Sequence, residues 1–368
     1  MIGQTGLPPA STIFQKSDMT SSPSSSPLLR RALLDDRWGR TARDLRVSLT
    51  DRCNLRCTYC MPAQGMAWLP SDDVLTDDEV MRLVELGVTR LGIREVRFTG
   101  GEPLMRRSLE SLVARTAALR TDLGQAPDIS LTTNALGLER RAAGLRSAGL
   151  DRVNISLDAA DSHTYAQVSR RDRFADVVRG IDAALAVGFS PVKVNAVAIR
   201  GHNDAGLPRL LDFCLERGLQ LRIIEEMPLG PRHAWDASSI LGEEGILEIL
   251  GADHELVRMA VEDPSAPARL WSVAARGRRP GGTVGVIASV TDPFCATCDR
   301  TRITADGQMR PCLFGDLEVD LRSLLRGGAD DEALIDAWTA GMATKRLAHG
   351  SDEGEMVSPE RRMSAIGG

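Results

Sequence analysis

The sequence predicts an α/β fold, an open barrel of six strand–helix units with a smaller region behind it, and three observations predict it. Strand-like and helix-like segments take turns from about Asp44 to Glu225, as parallel strands joined by crossover helices must. The strands alternate apolar and polar residues. Their number falls short of the eight of a closed barrel, and 368 residues leave room for an appendage.

The elements follow in order. Residues 1–35 include Ser-Ser-Pro-Ser-Ser-Ser-Pro and bury too little apolar surface to offset their ordering entropy, so they read as a disordered extension. Strands are expected at 45–49, 95–98, 129–133, 152–157, 191–199 and 220–225, with helices at 77–86, 109–119, 138–148, 175–186 and 207–217. Leu45, Val47 and Leu49 alternate with Arg46, Ser48 and Thr50; Arg97 and Thr99 oppose Val96 and Phe98. Ser130, Thr132 and Asn134, then Asn154, Ser156 and Asp158, then Lys193 and Asn195 keep the same polar phase. With helices outside, the apolar phase faces them and the polar phase lines the lumen. An antiparallel sheet with one wet face would also alternate, but the intervening helices argue against it. The barrel is expected to occupy residues 36–228. A second domain is expected at 229–345, with helices at 242–250 and 331–342 and hairpin pieces at 270–274 and 283–290, followed by a tail at 346–368.

Composition excludes whole classes. Lys and Arg number 45 against 50 Asp and Glu, for a net charge of -5, and aromatic residues make up 4%. Nucleic-acid binding needs clustered positive charge and rings for bases to stack on, so it is set aside. No stretch has the roughly 20 apolar residues of a membrane span, so a cytoplasmic protein is expected.

Six of the seven cysteines fall into two tight groups, which suits ligand clusters better than disulfides. Cys53, Cys57 and Cys60 follow the first strand as C-x3-C-x2-C, at the end where α/β barrels place their chemistry. Three thiolates leave one iron of a cubane cluster free; zinc with a fourth ligand from elsewhere is the other reading. Cys295, Cys298 and Cys312 form the second group. Between them Asp306-Gly307 signals a tight hairpin that would pair Ile303 with Arg310 and Thr301 with Cys312. Arg300 and Arg302 would lie about 7 Å apart on one strand face, suited to gripping an anion. Cys214 sits in an apolar helical pattern and reads as core.

The first cysteine motif, with Tyr59 before its third cysteine and Gly100-Gly101-Glu102-Pro103 after the second strand, resembles the radical S-adenosylmethionine (SAM) superfamily. The second group, C-x2-C-D-R-T-R with a further cysteine and a terminal Gly-Gly, resembles the GTP 3′,8-cyclase family of molybdenum cofactor biosynthesis. That resemblance implies an incomplete, TIM-like radical SAM barrel with a smaller C-terminal iron-sulfur domain and two [4Fe-4S] clusters. It implies catalytic roles for Cys53, Cys57, Cys60, Arg300 and Arg302, and metal ligation by both cysteine trios. SAM would meet Tyr59, Gly101, Ser156 and Met227. GTP would meet Arg46, Arg97, Thr132, Lys193, Arg300, Thr301 and Arg302. The implied product is (8S)-3′,8-cyclo-7,8-dihydroguanosine 5′-triphosphate, passed to a cyclic pyranopterin monophosphate synthase, with a reductant protein supplying electrons and a homodimer as the assembly. A radical SAM peptide-modifying enzyme with an auxiliary cluster is the alternative, and a non-catalytic module with two zinc sites a further one. Ala135 stands where the family usually has glycine and Glu226 where an apolar residue is common. The tail to Gly368 resembles a segment that reaches the active site; a frayed terminus is its other reading.

Overall fold

The computed structural model describes residues 32–229, 240–348 and 359–367. Of the expected disordered extension, residues 1–31 lie outside these; Leu34 is fully buried, so the folded part begins before residue 36. Six strands alternate with helices: β1 (Asp44–Ser48), α1 (Asp77–Thr89), β2 (Glu95–Thr99), α2 (Leu109–Ala117), β3 (Asp128–Thr133), α3 (Leu138–Ser147), β4 (Arg152–Ser156), α4 (Ser162–Ser169), α5 (Phe174–Ala186), β5 (Val192–Ala198), α6 (Leu207–Glu216) and β6 (Gln220–Glu225). Beyond them come α7 (Glu243–Gly251), β7 (Leu256–Arg258), β8 (Arg269–Val273), β9 (Gly282–Ile287), β10 (Arg300–Ile303), β11 (Gln308–Arg310), β12 (Val319–Asp320), α8 (Leu321–Arg326), α9 (Asp331–Ala343) and α10 (Met363–Ile366). No helix among the described residues is long and apolar enough to cross a membrane.

One sheet carries every strand, in the order β12-β11-β10-β1-β2-β3-β4-β5-β6-β9-β8-β7. The C-terminal region builds onto the six-strand barrel at both edges: β10 pairs parallel with β1, and β9 parallel with β6. Eight neighbouring strands from β10 to β9 are therefore parallel. The sheet stays open, ending at β12 on one side and β7 on the other, and the two outermost parallel strands, β9 and β10, do not pair with each other.

Register turns the sequence alternation into a lumen. Arg46 is flanked by Arg302 and Arg97, Thr132 by Asn154, and Asn195 by Ser156 and Arg222. The opposite phase, including Leu45, Val47, Val96, Phe98, Leu131, Ile155 and Val194, is buried beneath the helices. Truncating one such side chain to alanine would cost about 2–5 kcal/mol through lost burial and a residual cavity. The helices present matching faces: α1 buries Val80, Leu83, Val84 and Leu86, and starts at a capping box in which Thr76 and Glu79 satisfy each other's backbone N–H. Cys214 is fully buried in α6, as expected.

The short elements β7, β12, α8 and α10 were not expected, and two further departures from the sequence reading bear on the site. Helix α4 was not expected; it is short, buries only Tyr165, Val168 and Ser169, and is held by Asp161 capping Thr164 N–H at 2.9 Å, too little apolar periodicity to register. The β10–β11 hairpin is also shifted by one residue, with Arg302 opposite Arg310 and Ile303 opposite Met309. A tight two-residue turn needs a positive φ at its first residue, here Asp306, but of the pair only Gly307 has one, at 76°. The loop instead spans Ala305, Asp306 and Gly307: Thr304 N–H donates to Gln308 O at 2.9 Å, and Gln308 N–H to Thr304 Oγ1 at 2.9 Å. This is the three-residue hairpin with a left-handed third position.

Ala135 occupies the left-handed region at φ 62°, which explains why glycine suits that position. Side chains impose it: Thr133 Oγ1 accepts from Ala135 N–H at 3.0 Å and Asn134 Oδ1 from Leu136 N–H at 3.0 Å. Gly180 of α5 lies against it, and a Cβ there would come within 2.6 Å of the Ala135 carbonyl oxygen. Gly180→Ala is therefore expected to destabilise the protein by about 2 kcal/mol in denaturant unfolding, whereas an unhindered helix position gains about 1 kcal/mol from the same change.

Candidate active site

The first cysteine loop leaves the carboxyl end of β1 and is gripped from two sides. On one side, Gly101 N–H donates to Thr50 O at 2.6 Å and Glu102 N–H to Arg52 O at 2.8 Å. The backbones are so close that a Cβ on Gly100 would lie 2.5 Å from Thr50 O, and one on Gly101 2.3 Å from Arg52 O. The Gly-Gly pair is thus a steric requirement. On the other side, the last carbonyls of α4 accept from the loop: Ser169 O from Arg56 N–H at 3.1 Å and Val168 O from Thr58 N–H at 2.9 Å. Arg170, at φ 53°, adds a bond to Met61 O at 2.9 Å. Sequence reasoning missed α4 and Arg170 together, because the loop's partner is backbone rather than a side-chain motif.

Cys53, Cys57 and Cys60 line one lobe of the lumen with Tyr59, Gly101, Ser156, Asp158 and Met227. Burial pushes the Cys53 thiol up to about 11 and Cys60 to about 12, so a bound metal is what would hold them as thiolates. Tyr59 donates its hydroxyl to Asp158 at 3.0 Å. Burial raises the Asp158 carboxyl to about 6 and that of Glu102 to about 7. Glu102 is used locally, accepting from Leu104 N–H, Thr133 Oγ1 and Asn134 N–H at 2.7–2.9 Å.

Cys295 and Cys298 lie on the connection from β9 to β10, and Cys312 follows β11. All three line a second lobe with Arg46, Arg97, Thr132, Arg222, Arg300 and Arg302. The two lobes, of about 970 and 990 Å³ with their mouths, share Thr132, Asn195, Ile224, Met227 and Met363, so the two cysteine trios line adjoining lobes. Burial alone would raise the Cys298 thiol, but Lys345 and Arg300 outweigh it and bring it down to about 7.

Two expected GTP contacts are placed differently. Thr301 points to the opposite face of β10, where its hydroxyl accepts from the Trp338 indole at 3.1 Å; in a strand flanked by Arg300 and Arg302 the period of two requires this. Lys193 lines neither lobe and stands among the cations Arg222, Arg152 and Arg97, where burial and those charges lower it to about 8. Conversely Arg222 was missed. It donates to Asn195 at 3.0 Å and Asn154 at 2.6 Å, and its place on the inward phase of β6 was the available signal.

The second lobe is electrostatically unbalanced. Among the described residues it is lined by five arginines and no carboxylate. Behind them Asp44, itself buried, stands 3.5 Å from Arg97, 3.5 Å from Arg300 and 3.8 Å from Arg46. Burial pushes the Asp44 carboxyl up, yet Arg97, Arg46, Arg300 and Arg302 outweigh that and bring it to about 2. Burial, with Arg97 and Arg302 close by, holds Arg46 well below the ordinary guanidinium range. Buried Nε atoms of Arg46 and Arg300 lack hydrogen-bond partners. Such a lobe calls for an anion.

The tail closes the site. Gly367 O accepts from Arg302 at 2.7 Å, and Met363 N–H donates to Leu229 O at 3.2 Å. Gly367 has φ 82°, and a Cβ there would lie 2.8 Å from Ser48 Cβ. The described end of the tail, residues 359–367, is seated in the barrel rather than frayed; Gly368 lies outside the described residues.

Comparison with known proteins agrees with this geometry. Residues 47–214 match the Radical SAM superfamily and residues 219–351 match Molybdenum Cofactor Synthesis C. A GTP 3′,8-cyclase of Mycolicibacterium smegmatis is 54% identical over 346 residues, 94% of this chain and 94% of that protein. One of Corynebacterium glutamicum is 52% identical over 337 residues, 91% of this chain and 89% of that protein. The structure of Streptococcus suis SuiB bound to S-adenosylmethionine shares the fold at a TM-score of 0.54, with 15% identity, over 83% of this chain and 66% of that one.

Removing the carboxylate charge tests the imbalance. Asp44→Asn is expected to lower stability by about 3 kcal/mol, since it leaves buried cations uncompensated, and GTP should restore more melting temperature to the variant than it adds to the parent. Because the folded pKa of Asp44 lies below its ordinary value of 3.8, its contribution is present above pH 4 and lost toward pH 2. The gap between parent and variant should narrow over that interval.

Proposed function

The chain belongs to the GTP 3′,8-cyclase family of radical SAM proteins, and on that premise we propose that its adjoining lobes hold SAM and GTP side by side. The enzyme converts GTP to (8S)-3′,8-cyclo-7,8-dihydroguanosine 5′-triphosphate, a reading supported by the name of its relatives and the matched cofactor-synthesis region. The single observation that carries the arrangement is the wall shared by the lobes, Thr132, Asn195, Ile224, Met227 and Met363.

Cys53, Cys57 and Cys60 would hold an iron-sulfur cluster. The donor set fits: three half-buried thiols that line one lobe and no fourth cysteine among the described residues lining it. When bound, the cluster supplies the electron that cleaves SAM to the 5′-deoxyadenosyl radical, which removes the 3′-hydrogen of GTP. The remaining roles belong to the chain. Gly101 would meet the methionyl end of SAM with its backbone, its missing side chain being taken up by the cysteine loop, while Ser156, Tyr59 and Met227 line the bed of SAM. Cys295, Cys298 and Cys312 would hold a second cluster facing the guanine.

Arg46, Arg97, Arg300 and Arg302 would bind the triphosphate, with Arg222 as a fifth donor, and Lys193 adds positive potential from deeper in the lumen. Thr301 serves through the backbone position of β10 rather than its hydroxyl. The shared wall keeps C3′ within reach of the SAM lobe and limits water, because a primary radical reacts with whatever lies nearest. Ring closure joins C3′ to C8, and the nucleotide then takes up one electron and one proton from a reductant. The product would pass to a cyclic pyranopterin monophosphate synthase.

Anaerobic incubation of the reconstituted protein with dithionite, SAM and GTP should yield 5′-deoxyadenosine and a cyclised nucleotide in matching amounts by mass spectrometry. Deoxyadenosine beside unchanged GTP would remove the substrate assignment. Arg302→Leu should raise the KM for GTP by about 30-fold, the scale of a buried charge contact, with little change in the affinity for SAM.

A further inference from the structure

The second cysteine trio is braced from behind by a lysine that lines neither lobe. Lys345 follows α9 and is 3% exposed. Its ammonium donates to Arg300 O at 2.8 Å, to Cys298 O at 3.0 Å and to Cys298 Sγ at 3.4 Å. An ammonium has three donors, so all are spent on one stretch of chain. The segment carrying it is fixed in turn: Trp38 Nε1 donates to Lys345 O at 3.0 Å, and Arg40 to Arg346 O at 2.6 Å and Leu347 O at 2.8 Å. Arg40 also reaches Cys295 O at 2.5 Å. Lys345 lines a third cavity, which shares Pro311, Cys312 and Phe314 with the second lobe.

A buried ammonium is costly unless an anion or strong acceptors compensate it. The Cys298 sulfur is within hydrogen-bond reach of Lys345, and the Asp299 carboxylate lies within its electrostatic reach. Arg300 also approaches that sulfur, at 3.8 Å, but its guanidinium is shared with Ser265 O at 2.7 Å and with Asp44. Lys345 has no such division of labour between ligand and lobe.

We propose that Lys345 is a positioning residue for the second iron-sulfur centre, fixing Cys298 as a ligand and holding the centre's reduction potential up through its N–H bond to the sulfur. The proposal rests on the reading that this trio carries a cluster. The physical basis is general: a cation and an N–H on a ligating sulfur withdraw electron density and favour the reduced, more negative state. From its position outside the substrate lobe, Lys345 acts on the centre without touching GTP.

The test uses the full chain carrying Cys53→Ala, Cys57→Ala and Cys60→Ala, so that any cluster belongs to the second site. After anaerobic reconstitution, iron and sulfide are measured and the midpoint potential is read by redox titration with electron paramagnetic resonance. Lys345→Met should keep the iron and shift the midpoint to more negative potential. If that variant loses iron, Lys345→Gln, which keeps a donor and loses the charge, is expected to stay loaded and show the negative shift. A loaded variant at or above the parent's potential would overturn the proposal. So would loss of iron from both variants with unchanged circular dichroism, which would make Lys345 a structural brace. Absence of iron and sulfide from the parent itself would instead overturn the cluster reading beneath it.

Discussion

Repulsion among buried guanidiniums is the constraint on which the barrel depends. Arg46, Arg97, Arg222, Arg300 and Arg302 face one lumen, and each would be costly to bury alone. Asp44 offsets three of them at once and, because Arg300 belongs to β10, the same carboxylate ties the C-terminal strand to β1 and β2. Arg222 is handled differently, with the neutral carbonyls of Asn154 and Asn195 as its acceptors. The polar phase of the sheet is thus a set of charge partners, and its residual excess of positive charge suits a polyanion.

Much of this was legible before any coordinates, and the legible part shares a cause. Strand alternation reports which face meets helices, so Arg46, Arg97, Thr132 and Ser156 could be assigned to the lumen from period alone. What failed depended on information a period does not carry. Depth along a strand separates Lys193 from Arg97 although both point inward. The face of Thr301 follows from its neighbours, yet reading the motif as a unit hid it. The hairpin slip came from treating Asp306-Gly307 as the whole turn, when Thr304 closes a longer loop through its own hydroxyl.

The first cysteine loop illustrates a different limit. Its glycine partners are visible in sequence because only glycine tolerates a backbone at 2.3 to 2.5 Å from the Cβ position. Its other partner, the end of α4, leaves no trace of residue type, since carbonyls of Val168 and Ser169 make the bonds. A motif records the contacts that demand a particular side chain and is silent about those any residue can make.

The open seam of the sheet has a mechanical meaning. β9 and β10 end its parallel run without pairing with each other, the antiparallel strands β8-β7 and β11-β12 lying beyond them, and residues 288–299 run from one to the other carrying Cys295 and Cys298. The hydrogen-bonded run from β10 through β1–β6 to β9 sets the width of the seam, and that strap is long enough to cross it. Two of the three thiols of the second group therefore ride on the segment that bridges the seam, while Cys312 sits on the far side of the β10–β11 hairpin.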